Sequence, residues 1–190
     1  SATIEKLNEV KALWKDFKAI ADKVTTGEQG PVDKVVASNV PLLQTMNKAV
    51  ELYEAAANRE TGQQSGTIIN LAGRQRMLTQ KITKELVQYA IQGSDETRTA
   101  LRASVDLFAK TLNGLMQGDA ELNLPATTDK AILNQLKAVE ANWKNFRPVV
   151  EKAVSAGKPS QQDIAKVAEL NLSLLGDMNQ AVDMLQKATK

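Results

Sequence analysis

The stretch INLAGRQRMLTQKI, residues 69–82, puts two arginines, Arg74 and Arg76, beside a glycine, Gly73, inside an apolar helical pattern. Guanidinium groups are permanently charged and offer planar donors that match planar oxyanions. On a helix of 3.6 residues per turn, Leu71, Leu78, Ile82 and Leu86 point to a core. Ile69, Gly73, Arg76, Gln80 and Thr83 form an adjacent stripe, and Asn70, Arg74, Met77 and Lys81 a third. A mid-helix glycine costs about 1 kcal/mol against alanine, and the usual offset is close approach of another helix. If that helix is the same one from a second subunit, the two-fold axis sets Arg76 against its own copy. Two partly buried guanidiniums need compensation, and a small anion between them would supply it. The candidate ligand-binding residues are therefore Arg76 and Gly73 first, with Asn70, Gln80 and Arg74 around them. The alternative is that Arg74 and Arg76 only snorkel from a solvated face.

The elements that must hold this stretch are helical. Aromatic residues are only 4% of the 190-residue chain and hydrophobic residues 43%, which suits helices packed through Leu, Val, Ile and Ala. The net charge of +2 gives no basic footprint for nucleic acid. Cysteine and histidine are both absent, which argues against zinc, haem or iron–sulfur ligation and against Ser-His or Cys-His catalysis. No paired carboxylates stand out. The expectation is a protein with no catalytic residues, no metal and no cofactor. No apolar run reaches the ~18–20 residues of a membrane span, and the abrupt start inside a helical pattern suggests a piece of something longer.

An internal repeat organises the chain. Leu7, Val10, Ala12, Trp14, Lys15, Phe17 and Lys23 recur as Leu136, Val139, Ala141, Trp143, Lys144, Phe146 and Lys152. Asn39, Leu43, Met46, Asn47, Ala49 and Val50 recur as Asn171, Leu175, Met178, Asn179, Ala181 and Val182. Each unit is a Trp/Phe helix, a turn and an MNxAV helix. Trp14, Trp143, Met46 and Met178 read as core residues, and Asn47 and Asn179 as caps or bridges between helices.

Apolar spacing predicts helices over 2–26, 95–117, 129–155 and 160–188, with Ser94 and Thr128 as N-caps, Pro31 opening a helix and a kink near Pro148. A heptad-like seam runs through Leu43, Met46, Val50, Tyr53 and Ala57. It resumes in phase at Ile68, Leu71, Gln75, Leu78, Ile82, Leu86 and Tyr89, so one long helix weakened at Gly62 and Gly66 is expected. Some 60 such residues span ~90 Å. The fold class is all-α: an elongated antiparallel four-helix bundle, residues 61–190, with a partial module, a helical hairpin over 1–60, stacked end to end through the long helix.

Asn70, Ala72, Gly73, Arg76 and Met77 carry a resemblance. The stretch resembles the signature of the PilJ-type sensor module of bacterial transmembrane receptors. It is also similar to the P-box helix of the nitrate/nitrite sensor kinases, with its Asn-x-Ala-Gly-x-x-Arg-Met pattern. The MNxAVxxY block at 46–53 resembles the module's last helix. The resemblance implies the periplasmic portion of an inner-membrane chemotaxis receptor, membrane-anchored and homodimeric, controlling type IV pilus (twitching) motility and surface sensing. It implies nitrate at a dimer interface, held by the arginine matching Arg76, with type IV pilin as the other partner to expect. Arg74 and Gln75 replace the residues found in the nitrate kinases. A small-anion sensor of a chemoreceptor or histidine kinase and a ligand-free helical interaction module stay open.

Overall fold

The computed structural model describes residues 1–28, 32–61 and 65–188. Its helices are α1 Ala2–Thr25, α2 Val32–Thr61, α3 Ser65–Gln92, α4 Asp95–Gln117, α5 Lys130–Ser155 and α6 Gln161–Ala188. Among the described residues no strand forms; one isolated bridge joins Asp119 and Leu124 in the α4–α5 loop. The expected all-α class is what the chain adopts. The chain divides into two compact units, Ser1–Gly66 and Thr67–Lys190.

The second unit is an antiparallel four-helix bundle. Along α3, Gln75 meets Phe108 and Lys81 meets Ser104 of α4. Thr79 and Thr83 meet Asn171 of α6, and Tyr89 near the end of α3 meets Gly157 at the α5–α6 turn. In each pairing the partner number falls as the α3 number rises, so α3 runs opposite to both neighbours. The core is Leu71, Leu78, Ile82 and Leu86 from α3, Leu101, Val105, Phe108, Leu112 and Leu115 from α4, Ile132, Leu136, Val139, Trp143, Phe146 and Val150 from α5, and Val167, Leu174, Met178 and Val182 from α6. These positions follow the three-and-four spacing of an apolar stripe facing a common centre.

Helix ends are set by local chemistry. Ser94 caps α4, accepting from the Thr97 N–H at 3.2 Å. The cap of α5 is Asp129, which accepts from the Ala131 and Ile132 N–H groups at 2.7 and 3.0 Å. This corrects the expectation of Thr128: the carboxylate reaches two orphan donors at once. Helix α5 continues through Pro148. The expectation for Pro31 lies outside the described residues.

The single long helix needs correction. A straight helix places residues eight apart about 12 Å from each other along its axis. Here the Gly66 N–H donates to Asn58 Oδ1 at 3.1 Å, and a Cβ on Gly66 would lie 3.0 Å from the Glu54 carbonyl. Helix α2 is described to Thr61 and α3 from Ser65. Gly66 serves close approach of backbones rather than a weak point in a helix. Gly62 lies outside the described residues.

The first unit is a hairpin of α1 and α2, and it reproduces the local geometry of α5 and α6. Trp14 stacks on Phe17 with centroids 5.8 Å apart, and Trp143 on Phe146 at 5.7 Å. Burial differs. Trp143 is 5% exposed and Met178 fully buried, whereas Trp14 is 51% and Met46 42% exposed. Trp14 and Met46 are thus not core residues as expected, because two helices cover one stripe each and leave the next stripe open. Trp143→Ala should lower the stability of the bundle by about 3–5 kcal/mol, and Trp14→Ala by no more than about 1 kcal/mol. Urea unfolding of the two variants checks the contrast.

Candidate functional site

Helix α3 presents its arginines on the faces that the core does not use. Its apolar seam is buried through Leu71, Leu78, Ile82 and Leu86. Ile69, Gly73 and Arg76 are half-buried, as are Asn70, Arg74 and Met77. Neither Arg74 nor Arg76 has an ion pair or side-chain hydrogen bond among the described residues. A Cβ added to Gly73 would meet one neighbour within 4 Å, the Arg76 Nη2 at 3.8 Å. One guanidinium nitrogen of Arg76 is therefore the near neighbour of Gly73, one turn away, and the surface above that glycine is otherwise open. The structure brings Gly73 and Arg76 together; it does not bring Arg74 to them in the same way.

Gln80 is placed differently from the expectation that it offers a donor to a ligand. Its Nε2 donates to Asn171 Oδ1 at 2.8 Å. The Asn171 amide in turn donates to the Thr79 carbonyl at 2.8 Å and the Thr83 hydroxyl at 2.9 Å. This cluster joins α6 to α3 one turn below Arg76. Asn171 is buried, and its three bonds use most of what an amide can make. Sequence reasoning missed it as a bridge and placed that role on Asn179, which is exposed. Its recurrence at Asn39 was the available signal.

Other polar groups also tie α3 to α4. Gln75, expected on the seam, is fully buried there and donates to the Phe108 carbonyl at 2.9 Å. Its Oε1 has no partner among the described residues, nor has the buried hydroxyl of Thr111; each such group costs about 1–3 kcal/mol. Lower on α3, Lys81 Nζ bridges Glu85 Oε1 at 2.5 Å and Ser104 Oγ at 2.6 Å. Burial holds the neighbouring Lys84 ammonium below the ordinary lysine range, partly offset by the Glu85 carboxylate and reinforced by the Lys81 charge. No group of three or more metal-ligating side chains occurs among the described residues, and no described helix is long and apolar enough to cross a membrane.

Asn171→Ala should destabilise the bundle by about 1–3 kcal/mol, because the Gln80 and Thr83 partners lose their bonds; thermal or urea unfolding reads this. The Lys84 shift has a definite sign. With a depressed folded pKa, the folded state binds fewer protons than the unfolded state between that value and the ordinary 10.5. Stability of the native protein relative to Lys84→Met should therefore rise with pH through that window. Denaturant titrations from neutral pH upward check it.

Comparison with known proteins adds the following. A family profile described as type IV pili methyl-accepting chemotaxis transducer N-term, PilJ, matches residues 60–169. The methyl-accepting chemotaxis protein McpN of Pseudomonas aeruginosa is 30% identical over 117 residues, covering 62% of this chain and 21% of that protein. A methyl-accepting chemotaxis relative, AlkN of Alcanivorax borkumensis, is 24% identical over 150 residues, covering 75% of this chain and 21% of the relative. The chain thus spans about a fifth of the length of these relatives. Among solved structures, the ligand-binding domain of the P. aeruginosa nitrate receptor McpN superposes with a TM-score of 0.58 at 29% identity, covering 65% of this chain and 97% of that one.

Proposed function

Because the chain belongs to the PilJ family of methyl-accepting chemotaxis transducer sensor domains, we propose that it is the extracytoplasmic ligand-binding region of a membrane-anchored chemoreceptor. Two copies pair across the α3 face that carries Gly73, and a small planar oxyanion of the nitrate type binds between their Arg76 side chains. The observation that carries this reading is a half-buried guanidinium with no counter-ion among the described residues, beside a glycine whose outer surface is open. Pairing would bury two like charges further, which costs several kcal/mol per ion unless an anion answers them. The anion and the dimer interface then stabilise one another, and ligand becomes helix packing. The similarity to the ligand-binding domain of a nitrate receptor supports nitrate as the first anion to try.

The residues bet on are Arg76 as the anion's fork donor and Gly73 as the site of approach, with Asn70 and Arg74 at the edge. Gln80 acts through Asn171 rather than on the ligand. Residues 1–60 are the back half of a further module of the same kind, as the matched hairpins α1–α2 and α5–α6 suggest. The family's association with type IV pili supports a second element of the reading: the receptor's output controls pilus-driven motility, with pilin as a protein partner.

Calorimetric titration with nitrate, nitrite and phosphate tests the anion. Nitrate should bind, Arg76→Ala should abolish the heat, and Arg76→Lys should weaken binding about 10-fold or more by losing the planar fork. Sedimentation should show nitrate favouring the dimer, and Gly73→Leu opposing it. If no anion gives heat, the small-ligand reading falls and capture of purified pilin becomes the discriminating experiment.

A further inference from the structure

Gln75 holds a core position that Leu71, Leu78 and Ile82 fill with hydrocarbon along the same seam. Its neighbours in sequence, Arg74 and Arg76, stand on the half-buried flanks. The Gln75 amide donates across to the Phe108 carbonyl at 2.9 Å, an oxygen inside α4 that also belongs to that helix's own backbone ladder. The Phe108 ring packs on Trp143 of α5 with centroids 4.3 Å apart, and Trp143 stacks on Phe146 at 5.7 Å. An unbroken line of contacts thus runs from the turn of α3 that bears Arg76, through one amide, into α4 and α5.

The line is only half satisfied. Gln75 Oε1 is buried without a partner among the described residues, and so is the hydroxyl of Thr111, one turn beyond Phe108 on α4. A buried amide with one bond made and one unmade has a competing arrangement available. Thr111 follows Phe108 by three residues on α4, and its hydroxyl is the kind of donor that Oε1 lacks. Apolar neighbours on the seam offer no such pair of states.

We propose that Gln75 is the positioning residue that couples the Arg76 face of α3 to α4 and, through Phe108, to Trp143, by trading its bond to the Phe108 carbonyl for one from the Thr111 hydroxyl. The trigger rests on the anion reading above; the tie itself does not.

The experiment uses the whole chain labelled with 5-fluorotryptophan, with Trp143 assigned in the ¹⁹F spectrum through Trp14→Phe. Nitrate should move the Trp143 resonance in the wild type. Gln75→Met, of equal length but without the amide, and Thr111→Val, without the hydroxyl, should keep nitrate binding and lose the movement. Thr111→Ser should restore it. A full movement at nitrate saturation in both Gln75→Met and Thr111→Val overturns the coupling. So does a loss of nitrate affinity in both with the movement at saturation unchanged, which leaves Gln75 a structural role alone. Thr111→Val is close to isosteric and reads the proposal if Gln75→Met fails to fold. If the wild type binds no nitrate, the anion reading fails separately and Arg76→Glu takes the ligand's place. A displaced Trp143 resonance in Arg76→Glu that vanishes in the Gln75→Met background supports the coupling; equal displacement in both backgrounds overturns it.

Discussion

A guanidinium that is half out of water and has no counter-ion among the described residues is the constraint around which α3 is arranged. Arg76 cannot turn inward, because that side of α3 is the apolar seam of Leu71, Leu78 and Ile82. It cannot turn toward α6 without entering the cluster of Asn171, Gln80 and Thr83, whose donors and acceptors already serve one another. What is left is the open surface beside Gly73, where one guanidinium nitrogen of Arg76 would stand 3.8 Å from an added Cβ. The position of the charge thus follows from which faces of α3 the core and the Asn171 cluster occupy.

The fold was largely legible from periodicity, and the site only in part. Helix α4 spans the residues that its stripe of Leu101, Val105, Phe108, Leu112 and Leu115 predicts. That is because a single buried face repeats at 3.6 residues whatever lies opposite it. The wheel also separated Arg76 from Arg74 and put Gly73 on the Arg76 stripe, and geometry keeps that distinction. What the wheel cannot supply is the register between helices. Gln80 on a stripe beside Arg76 reads as a ligand donor until Asn171, 91 positions away, accepts its bond. The expected rod from Leu43 to Tyr89 is described as two helices, α2 to Thr61 and α3 from Ser65. A seam that resumes in phase after a polar gap does not by itself make the helix continuous across the gap.

The internal repeat isolates what each pair of helices contributes. The two Trp/Phe pairs share one geometry, to within 0.1 Å between centroids at 5.8 and 5.7 Å, since residues three apart on a helix meet without help from outside. Their exposure does not match. In the bundle, α4 sets Phe108 against the indole, and α3 adds its buried stripe to the same core. The hairpin motif is thus a half-core, and the helix carrying the Gly-Arg signature is part of what completes it. A site on α3 is consequently placed on an element whose inner face holds the bundle shut.

That placement limits how ligand energy can act. A ligand shifts a conformational equilibrium only by its differential affinity for the two states, commonly about 1–3 kcal/mol of coupling. Pulling α3 away from the core would expose several side chains worth about 1.5–3 kcal/mol each, which is far beyond that range. Exchanging one buried hydrogen bond for another alters a net contribution of about 0.5–1.5 kcal/mol, which is within it. The polar ties of α3 alternate between α4 at Gln75 and Lys81 and α6 at Thr79 and Thr83. A movement large enough to break them all carries the whole bundle with it. A signal entering at Arg76 must then travel as a small displacement with exchange of polar partners inside an intact apolar core. Among the described ties, that of Gln75 to the Phe108 carbonyl is held by the residue next in sequence to that charge.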